Sequence, residues 1–143
     1  MVTDDVAVLT SANVWALSTA QFAALTTAQV VALTTSQVLA LSTANVSALT
    51  TDQVAAMEVD DVVVLTTANL QAMSTDQISA LTTAHVAALT TKQVLGLSTA
   101  NVSALTTDQI AVLATNDLAV LTTAQVAALS TAQVLAITAE QVA

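Results

Sequence analysis

The sequence contains no cysteine, no proline, one glycine, two aromatic residues and one basic residue in 143 positions. The lack of cysteine excludes a disulfide framework and thiolate zinc sites. Lys92 stands against ten acidic residues, which gives a formal charge of −9. Because phosphate binding needs several lysines or arginines to displace counterions, this charge argues against nucleic acid as a partner and disfavours anionic membrane surfaces.

Long apolar runs and a catalytic set of side chains are missing as well. No stretch approaches the roughly 18 apolar residues of a membrane helix, so we expect no membrane insertion. The start, MVTDDVAVLT, has two acids where a secretory signal has bases, so we expect no export signal there. With no Arg or Tyr, only His85 and only Lys92, no base, nucleophile and oxyanion donor come together. We therefore expect no enzyme and no cofactor.

What the sequence does contain is one eight-residue unit, L-T-T-A-Q-V-x-A, repeated eighteen times from Met1 without an insertion. We number the positions of the unit one to eight. Position one is Leu in most units, position six is always Val, Ile, Leu or Phe, and position eight is nearly always Ala. The chain, residues 1–143, is therefore predicted to be a single repeat domain.

A period of eight fits neither a continuous helix nor a strand. A helix advances about 100° per residue, so the Leu–Val stripe would shift by about 80° per unit and never form one face. A strand would place Leu, Thr and Gln on one face and Thr, Ala and Val on the other. Neither face is cleanly apolar, and Ala and Gln are poor strand residues.

A short helix with its own cap fits the period. Positions two to five, T-T-A-Q, match the capping box, in which the Thr hydroxyl and the Gln side chain each accept a hydrogen bond from the other's backbone N–H. The Leu before the cap and the Val at position six match the hydrophobic staple, which fixes the angle at which the chain enters a helix. Both motifs recur in the same phase in nearly every unit.

The predicted fold is therefore all-α, a solenoid of very short helices of about six or seven residues, one per unit. Such helices are far below the about 12–15 residues that persist alone, so they must pack on their neighbours. We expect three or four helices per turn, with Leu, Val and Ala inside.

A longer period of seven units lies on top of the octad. Position two lacks a capping hydroxyl at Val2, Glu58 and Ala114, and the same units carry Asp instead of Gln at position five. The chain is thus divided into blocks 1–56, 57–112 and a partial block 113–143. Duplication of a seven-unit block is one explanation, and a whole number of solenoid turns, such as two turns of three and a half units, is the other.

Few residues suggest a metal site. Glu58, Asp60 and Asp61 form the densest acidic cluster, and calcium prefers such oxygen ligands. The cluster has no glycine-turned loop, however, and acids at a helix start are stabilised by its dipole. His85 stands in the Gln position of its unit, and we interpret it as a drifted repeat position rather than a metal ligand.

Candidate protein-contact residues lie at the variable position seven, which also accepts Ser and Gln and is therefore predicted to be partly exposed. The large apolar residues there are Trp15, Leu39, Leu95 and Leu135.

The unit L-[ST]-T-x-[QN]-V-x-A resembles the octapeptide arrays of large bacterial secreted or surface proteins of the adhesin- or haemagglutinin-like kind. The resemblance covers the whole chain. It implies a module of a long extracellular or cell-surface protein, and it carries over no catalytic residue.

These observations predict a structural or interaction solenoid, a spacer or an adhesive surface module. Its partner would be a protein, including a second copy of itself, because Thr, Ala and Gln surfaces carry little charge to repel a neighbour. Head-to-tail and lateral assembly, up to filaments, both remain open. Ice binding through regularly spaced Thr and Ala is an alternative function, and a designed or consensus repeat protein is an alternative origin.

Overall fold

The computed structural model describes residues 2–142, and the ordered secondary structure within this range is entirely helical. One helix forms in each unit. The helices are α1 Thr3–Ala7, α2 Ser11–Trp15, α3 Thr19–Ala23, α4 Thr27–Val31, α5 Thr35–Leu39, α6 Thr43–Ser47, α7 Thr51–Ala56, α8 Val59–Val64, α9 Thr67–Ala72, α10 Thr75–Ala80, α11 Thr83–Ala87, α12 Thr91–Leu95, α13 Thr99–Ala104, α14 Thr107–Ala111, α15 Thr115–Ala119, α16 Thr123–Ala127, α17 Thr131–Ala136 and α18 Ala139–Val142.

The helices begin at position three, as the capping pattern predicts, but they end earlier than expected. They contain four to six residues rather than six or seven. The position-one residue that follows a helix is not always helical. Met57, directly after α7, has φ −55° and ψ 150°. Its N–H bonds the position-six carbonyl only three residues back, as Leu49 does to Val46 at 3.2 Å. This tightened last turn closes the helix before the next cap begins.

Each helix packs on the helix three places further along the chain. Three units therefore make one turn, and the helices form three columns of six. The first column contains α1, α4, α7, α10, α13 and α16, the second starts at α2, and the third starts at α3. The predicted solenoid of short helices is confirmed, with three helices per turn.

Three units per turn also bear on the seven-unit period. Seven units make two and one third turns, so equivalent units of successive blocks lie in different columns. The explanation by a whole number of turns is therefore wrong, because the helices of residues 2–142 stack three units apart. Duplication of a seven-unit block stays a prediction.

The core is a single apolar cluster that runs the length of the solenoid. Position six contributes fully buried side chains such as Val62 and Ile78, and position one contributes Leu65 and Leu81 beside them. Because each helix is too short to be stable alone, burial of these two positions between successive turns holds the helices in place. Within residues 2–142 no helix is long and apolar enough to cross a bilayer.

Candidate functional site

Each turn of the solenoid has three corners, where one helix ends and the next begins. At the corner before α10, the backbone N–H of Ser74 donates to Oε1 of Gln77 at 2.7 Å, and the backbone N–H of Gln77 donates to the Ser74 hydroxyl at 3.2 Å. Thr50 and Gln53 make the same reciprocal pair before α7. These bonds satisfy backbone donors that a helix start leaves without intrahelical partners.

The Gln77 side chain also bonds the preceding turn, a contact that the capping motif does not predict. Its Nε2 donates to the carbonyl oxygens of Val46 at 3.0 Å and Leu49 at 2.6 Å, at the end of α6. The last carbonyls of a helix lack the donors four residues further on, so the Gln77 amide gives Leu49 a donor and Val46 a second donor beside the Leu49 N–H. One buried side chain, 3% exposed, thus completes the start of one helix and the end of another.

We call the position-five side chains that bond the preceding turn the corner ladder. Gln side chains reach carbonyls 28 and 31 residues earlier, whereas Asn side chains are shorter and reach only the carbonyl 28 residues earlier, as Asn45 does to Leu17 at 3.1 Å. The ladder contains Gln37, Asn45, Gln53, Asn69, Gln77, His85, Gln93, Asn101, Gln109, Gln125, Gln133 and Gln141.

His85, which replaces the usual Gln of the repeat, belongs to this ladder. Its Nδ1 lies 3.1 Å from the backbone nitrogen of Thr82, and its Nε2 lies 2.8 Å from the carbonyl oxygen of Met57. An N–H donor faces Nδ1 and an acceptor faces Nε2, so the ring carries its proton on Nε2. In this tautomer histidine makes the cap bond of a glutamine and its bond to the carbonyl 28 residues earlier, which explains why it is tolerated at a buried position.

Asp61 and Asp117 interrupt the ladder. In the register of the other corners Asp61 faces the carbonyls of Val30 and Leu33, and no hydrogen bond joins it to them within residues 2–142. Burial, and then the nearby charges of Glu58 and Asp60, raise the pKa of Asp61 from 3.8 to about 6. A carboxylate has no proton to donate to a carbonyl, so this corner lacks the bond between turns.

The acidic cluster does not come together as a metal site in the described structure. Glu58 and Asp60 are exposed, whereas Asp61 points inward and is 2% exposed. No group of three His, Asp or Glu side chains in residues 2–142 is arranged to hold one metal ion. Asp117 accepts a hydrogen bond from the Thr91 hydroxyl at 2.9 Å, which gives it a partner in the preceding turn that Asp61 lacks.

The four candidate contact residues are exposed, but they do not form one surface. Trp15 and Leu39 are 60% and 57% exposed and lie on α2 and α5, which pack on each other in the second column. Leu135 is in the same column on α17, and Leu95 is in the third column on α12. Other position-seven residues bond the next turn instead, as the Ser79 hydroxyl does to the carbonyl of Ala104 at 2.8 Å.

The two ends of the solenoid present opposite chemistry. Position five faces the preceding turn, so Asn13 and Gln21 in the first turn are exposed polar groups. Position six faces the following turn, so Val126, Val134 and Val142 in the last turn are 51%, 50% and 73% exposed. The valines and the aliphatic residues beside them, including Leu129 and Ile137, line an open pocket of about 490 Å³.

The comparisons with known proteins agree with the octad organisation. The family model of the ALTTAQ repeat matches residues 1–35, 31–59, 54–91, 86–115 and 110–143. No curated protein and no solved structure matches the chain significantly. Because the matches together span the chain, it belongs to the ALTTAQ-repeat family.

Proposed function

We propose that this ALTTAQ-repeat chain is a non-catalytic structural module, a stiff spacer or adhesive surface module outside the cell or on its surface. The observation that supports this role is the corner ladder, which extends from Gln37 to Gln141 and is interrupted only at Asp61 and Asp117. Buried hydrogen bonds between successive turns, added to a continuous apolar core, favour a solenoid that keeps its length under load. The extracellular location rests on the resemblance to secreted and surface octapeptide arrays.

A deletion series tests the spacer role. Removing residues 65–88 takes out three units, or one turn, and brings equivalent positions of the flanking units together. Small-angle scattering should then show a maximum dimension shorter by about 8–10 Å, the spacing of packed helices. Circular dichroism per residue should stay unchanged.

A matched deletion of residues 65–84 removes twenty residues and breaks the period of eight. It should lose helix signal and unfold at lower denaturant, because positions one and six after the junction no longer meet the core. A chain whose dimension does not follow the number of units, or that tolerates both deletions equally, would contradict the proposal.

Ice binding is a second candidate function that one arrangement favours. The position-three residue in the first column is threonine at every level, and all six are exposed. They are Thr3, Thr27, Thr51, Thr75, Thr99 and Thr123. The capping hydroxyl belongs to position two, so these side chains are not used as caps. A rigid column of hydroxyls and methyl groups spaced by about 8–10 Å is a surface that an ordered lattice could match.

Thermal hysteresis and ice-recrystallisation measurements test this second candidate. Replacing Thr51 and Thr75 by lysine should abolish activity if the first column binds ice. The same change at Thr83 and Thr107, in the second column, should leave it. A wild-type chain without thermal hysteresis or inhibition of recrystallisation excludes the candidate.

A further inference from the structure

One side of the solenoid is apolar at position seven at every level. The second column carries there, one on each of its helices, Trp15, Leu39, Val63, Ala87, Ala111 and Leu135. The first column has serine at two levels of the same position, Ser79 and Ser103, and the third has Ser47 and Gln71. The apolar residues are 24 positions apart in the sequence, so only the packing of three helices per turn brings them into one row.

The row has its largest side chains over α2, α5 and α8, and we call this part the apolar stripe. It consists of Trp15, Leu39, Val59 and Val63. Trp15 and Leu39 are 60% and 57% exposed, and Val59, at position three where most units have threonine, is exposed as well. Leu39 has a turn on either side of it and is as exposed as Trp15, so the exposure belongs to position seven and not to an end of the chain.

The exposed charges at α8, in the middle of the second column, are acidic. Glu58 precedes this helix and Asp60 lies in its first turn, and both side chains are exposed. Lys92, the one lysine of the chain, lies on α12 in the third column, beyond the other end of α8. A partner that covers the stripe therefore gains from positive charge near Glu58 and Asp60. A second copy of this chain brings ten acids and one lysine, so like charges oppose its docking here.

The spacing of the stripe selects a backbone conformation for the partner. Successive helices of one column lie about 8–10 Å apart, as packed helices do. A polyproline II segment has three residues per turn and rises about 3.1 Å per residue, so every third side chain lies on one face at intervals of about 9.3 Å. A β-strand repeats one face every ~6.8 Å and an α-helix every ~5.4 Å, so neither places one side chain at each level.

We propose that the apolar stripe binds a basic protein segment in the polyproline II conformation, with an apolar side chain at every third residue. These side chains lie against Trp15, Leu39 and Val63 at successive levels, and lysines or arginines of the segment pair with Glu58 and Asp60. Binding costs little ordering, because the polyproline II conformation is already populated in the free segment. This inference deepens the adhesive part of the proposed structural role and rests on it.

A synthetic peptide of four Leu-Pro-Lys triplets serves as the probe. Trp15 is the one tryptophan of the chain and the peptide has none, so tryptophan fluorescence reports occupancy of the stripe directly. Titration should shift the Trp15 emission to shorter wavelength along a saturable curve, and added salt should weaken the affinity. A peptide of Leu-Pro-Glu triplets reverses the charge and should bind at least about tenfold more weakly.

Leu39 and Leu95 provide a matched pair of variants. Both are leucines at position seven of inner helices, 57% and 49% exposed, but Leu95 has Gln71 and Ala119 as its neighbours at position seven of its column. Leu39→Ser should weaken peptide binding by about tenfold, because it removes the centre of the stripe, and Leu95→Ser should change it by less than about twofold. Both variants should keep the wild-type circular dichroism spectrum, since neither side chain belongs to the core.

A third variant tests the charge. Glu58→Gln combined with Asp60→Asn removes both exposed carboxylates, and it should weaken binding by about three- to fivefold and reduce the salt dependence. Equal losses in Leu39→Ser and Leu95→Ser, equal binding of the two peptides, or no shift of the Trp15 emission would overturn the inference. Dimerisation of the wild type that Leu39→Ser abolishes would also overturn it, in favour of a second copy. The spacer role would survive these results provided the scattering dimension still followed the number of units.

Discussion

The corners that precede α10 and α8 have the same place in the octad and opposite chemistry. At the first, Gln77 bonds Ser74 in its own turn and Leu49 in the turn before it. At the second, Glu58 provides no side-chain cap, and Asp61 is 2% exposed without a hydrogen bond to the preceding turn in the described residues. Two helices of the same length, six residues each, are thus held by very different numbers of polar contacts.

The difference shows that the oxygen and the nitrogen of the glutamine side-chain amide bond different parts of the structure. The oxygen completes the local cap, and a carboxylate could replace it there, as Asp5 does in accepting from the backbone of Val2 at 2.9 Å. The nitrogen completes the preceding turn, and a carboxylate cannot replace it because it has no proton to give. Stability along the solenoid therefore depends on amides at position five more than on the caps alone.

The largest change in the free energy of unfolding is expected when the glutamine at the corner before α10 is replaced by a carboxylate, as at the corner before α8. Gln77→Glu keeps the capping oxygen and replaces the buried donor by an oxygen that faces Val46 and Leu49. Burying a charge against carbonyls without a donor should lower the free energy of unfolding by about 3–5 kcal/mol at neutral pH. Urea denaturation followed by circular dichroism measures it.

Gln21→Glu is the matched control for this change. Gln21 makes the same local cap, but its side-chain nitrogen donates to no other turn within residues 2–142. Its substitution should change the free energy of unfolding by less than about 0.5 kcal/mol. Equal losses at the two positions would show that the capping function, and not the bond between turns, determines the effect.

The reverse change should stabilise the protein. Asp61→Asn gives the corner a donor of the length that lets Asn69 bond Leu41 at 3.2 Å, and it removes a buried charge. Above pH 6, where Asp61 is ionised, we expect a gain of about 1–3 kcal/mol in the free energy of unfolding.

The pH dependence of this gain follows from the raised pKa of Asp61. The folded protein binds the proton more tightly than the unfolded chain, because the pKa is about 6 in the fold and 3.8 ordinarily. The stability of the wild type relative to Asp61→Asn should therefore be greatest below about pH 4 and fall as the pH rises to about 6. The advantage of the asparagine variant thus grows over that range and is constant above it. Denaturation of both proteins between pH 4 and 8 measures it.

Asp117→Asn provides a comparison for that gain. Asp117 already accepts a bond from the Thr91 hydroxyl, so the asparagine has less to improve. We expect a smaller stabilisation than at Asp61. If both asparagines stabilise equally, or if the Asp61→Asn advantage grows on acidification, the account of the missing donor fails.

The local part of this structure could be predicted from the sequence, and the part between turns could not. The capping and staple motifs act within eight residues, so they give one helix per unit and its first residue. The contact of Gln77 with Leu49 joins residues 28 apart. That separation follows only from three helices per turn, and the octad alone leaves three and four open.

A signal for the missed contact was nevertheless present at position five. A capping box accepts Glu as readily as Gln, yet position five contains Gln, Asn, Asp and His and never Glu. A preference for side chains that carry a donor indicates a second partner beyond the cap. His85 follows the same preference, because its ring supplies both a donor and an acceptor.

Apart from the control at Gln21, the smallest change in the free energy of unfolding is expected for His85→Gln, at the corner where a ring replaces the amide. His85→Gln should change the free energy of unfolding by less than about 1 kcal/mol, because the new side chain restores both bonds to Thr82 and Met57. His85→Ala leaves the Met57 carbonyl without its donor and should lower it by about 2–3 kcal/mol. Nitrogen NMR of the ring should show the tautomer with the proton on Nε2. If alanine is tolerated as well as glutamine, or the proton is on Nδ1, then His85 does not belong to the corner ladder.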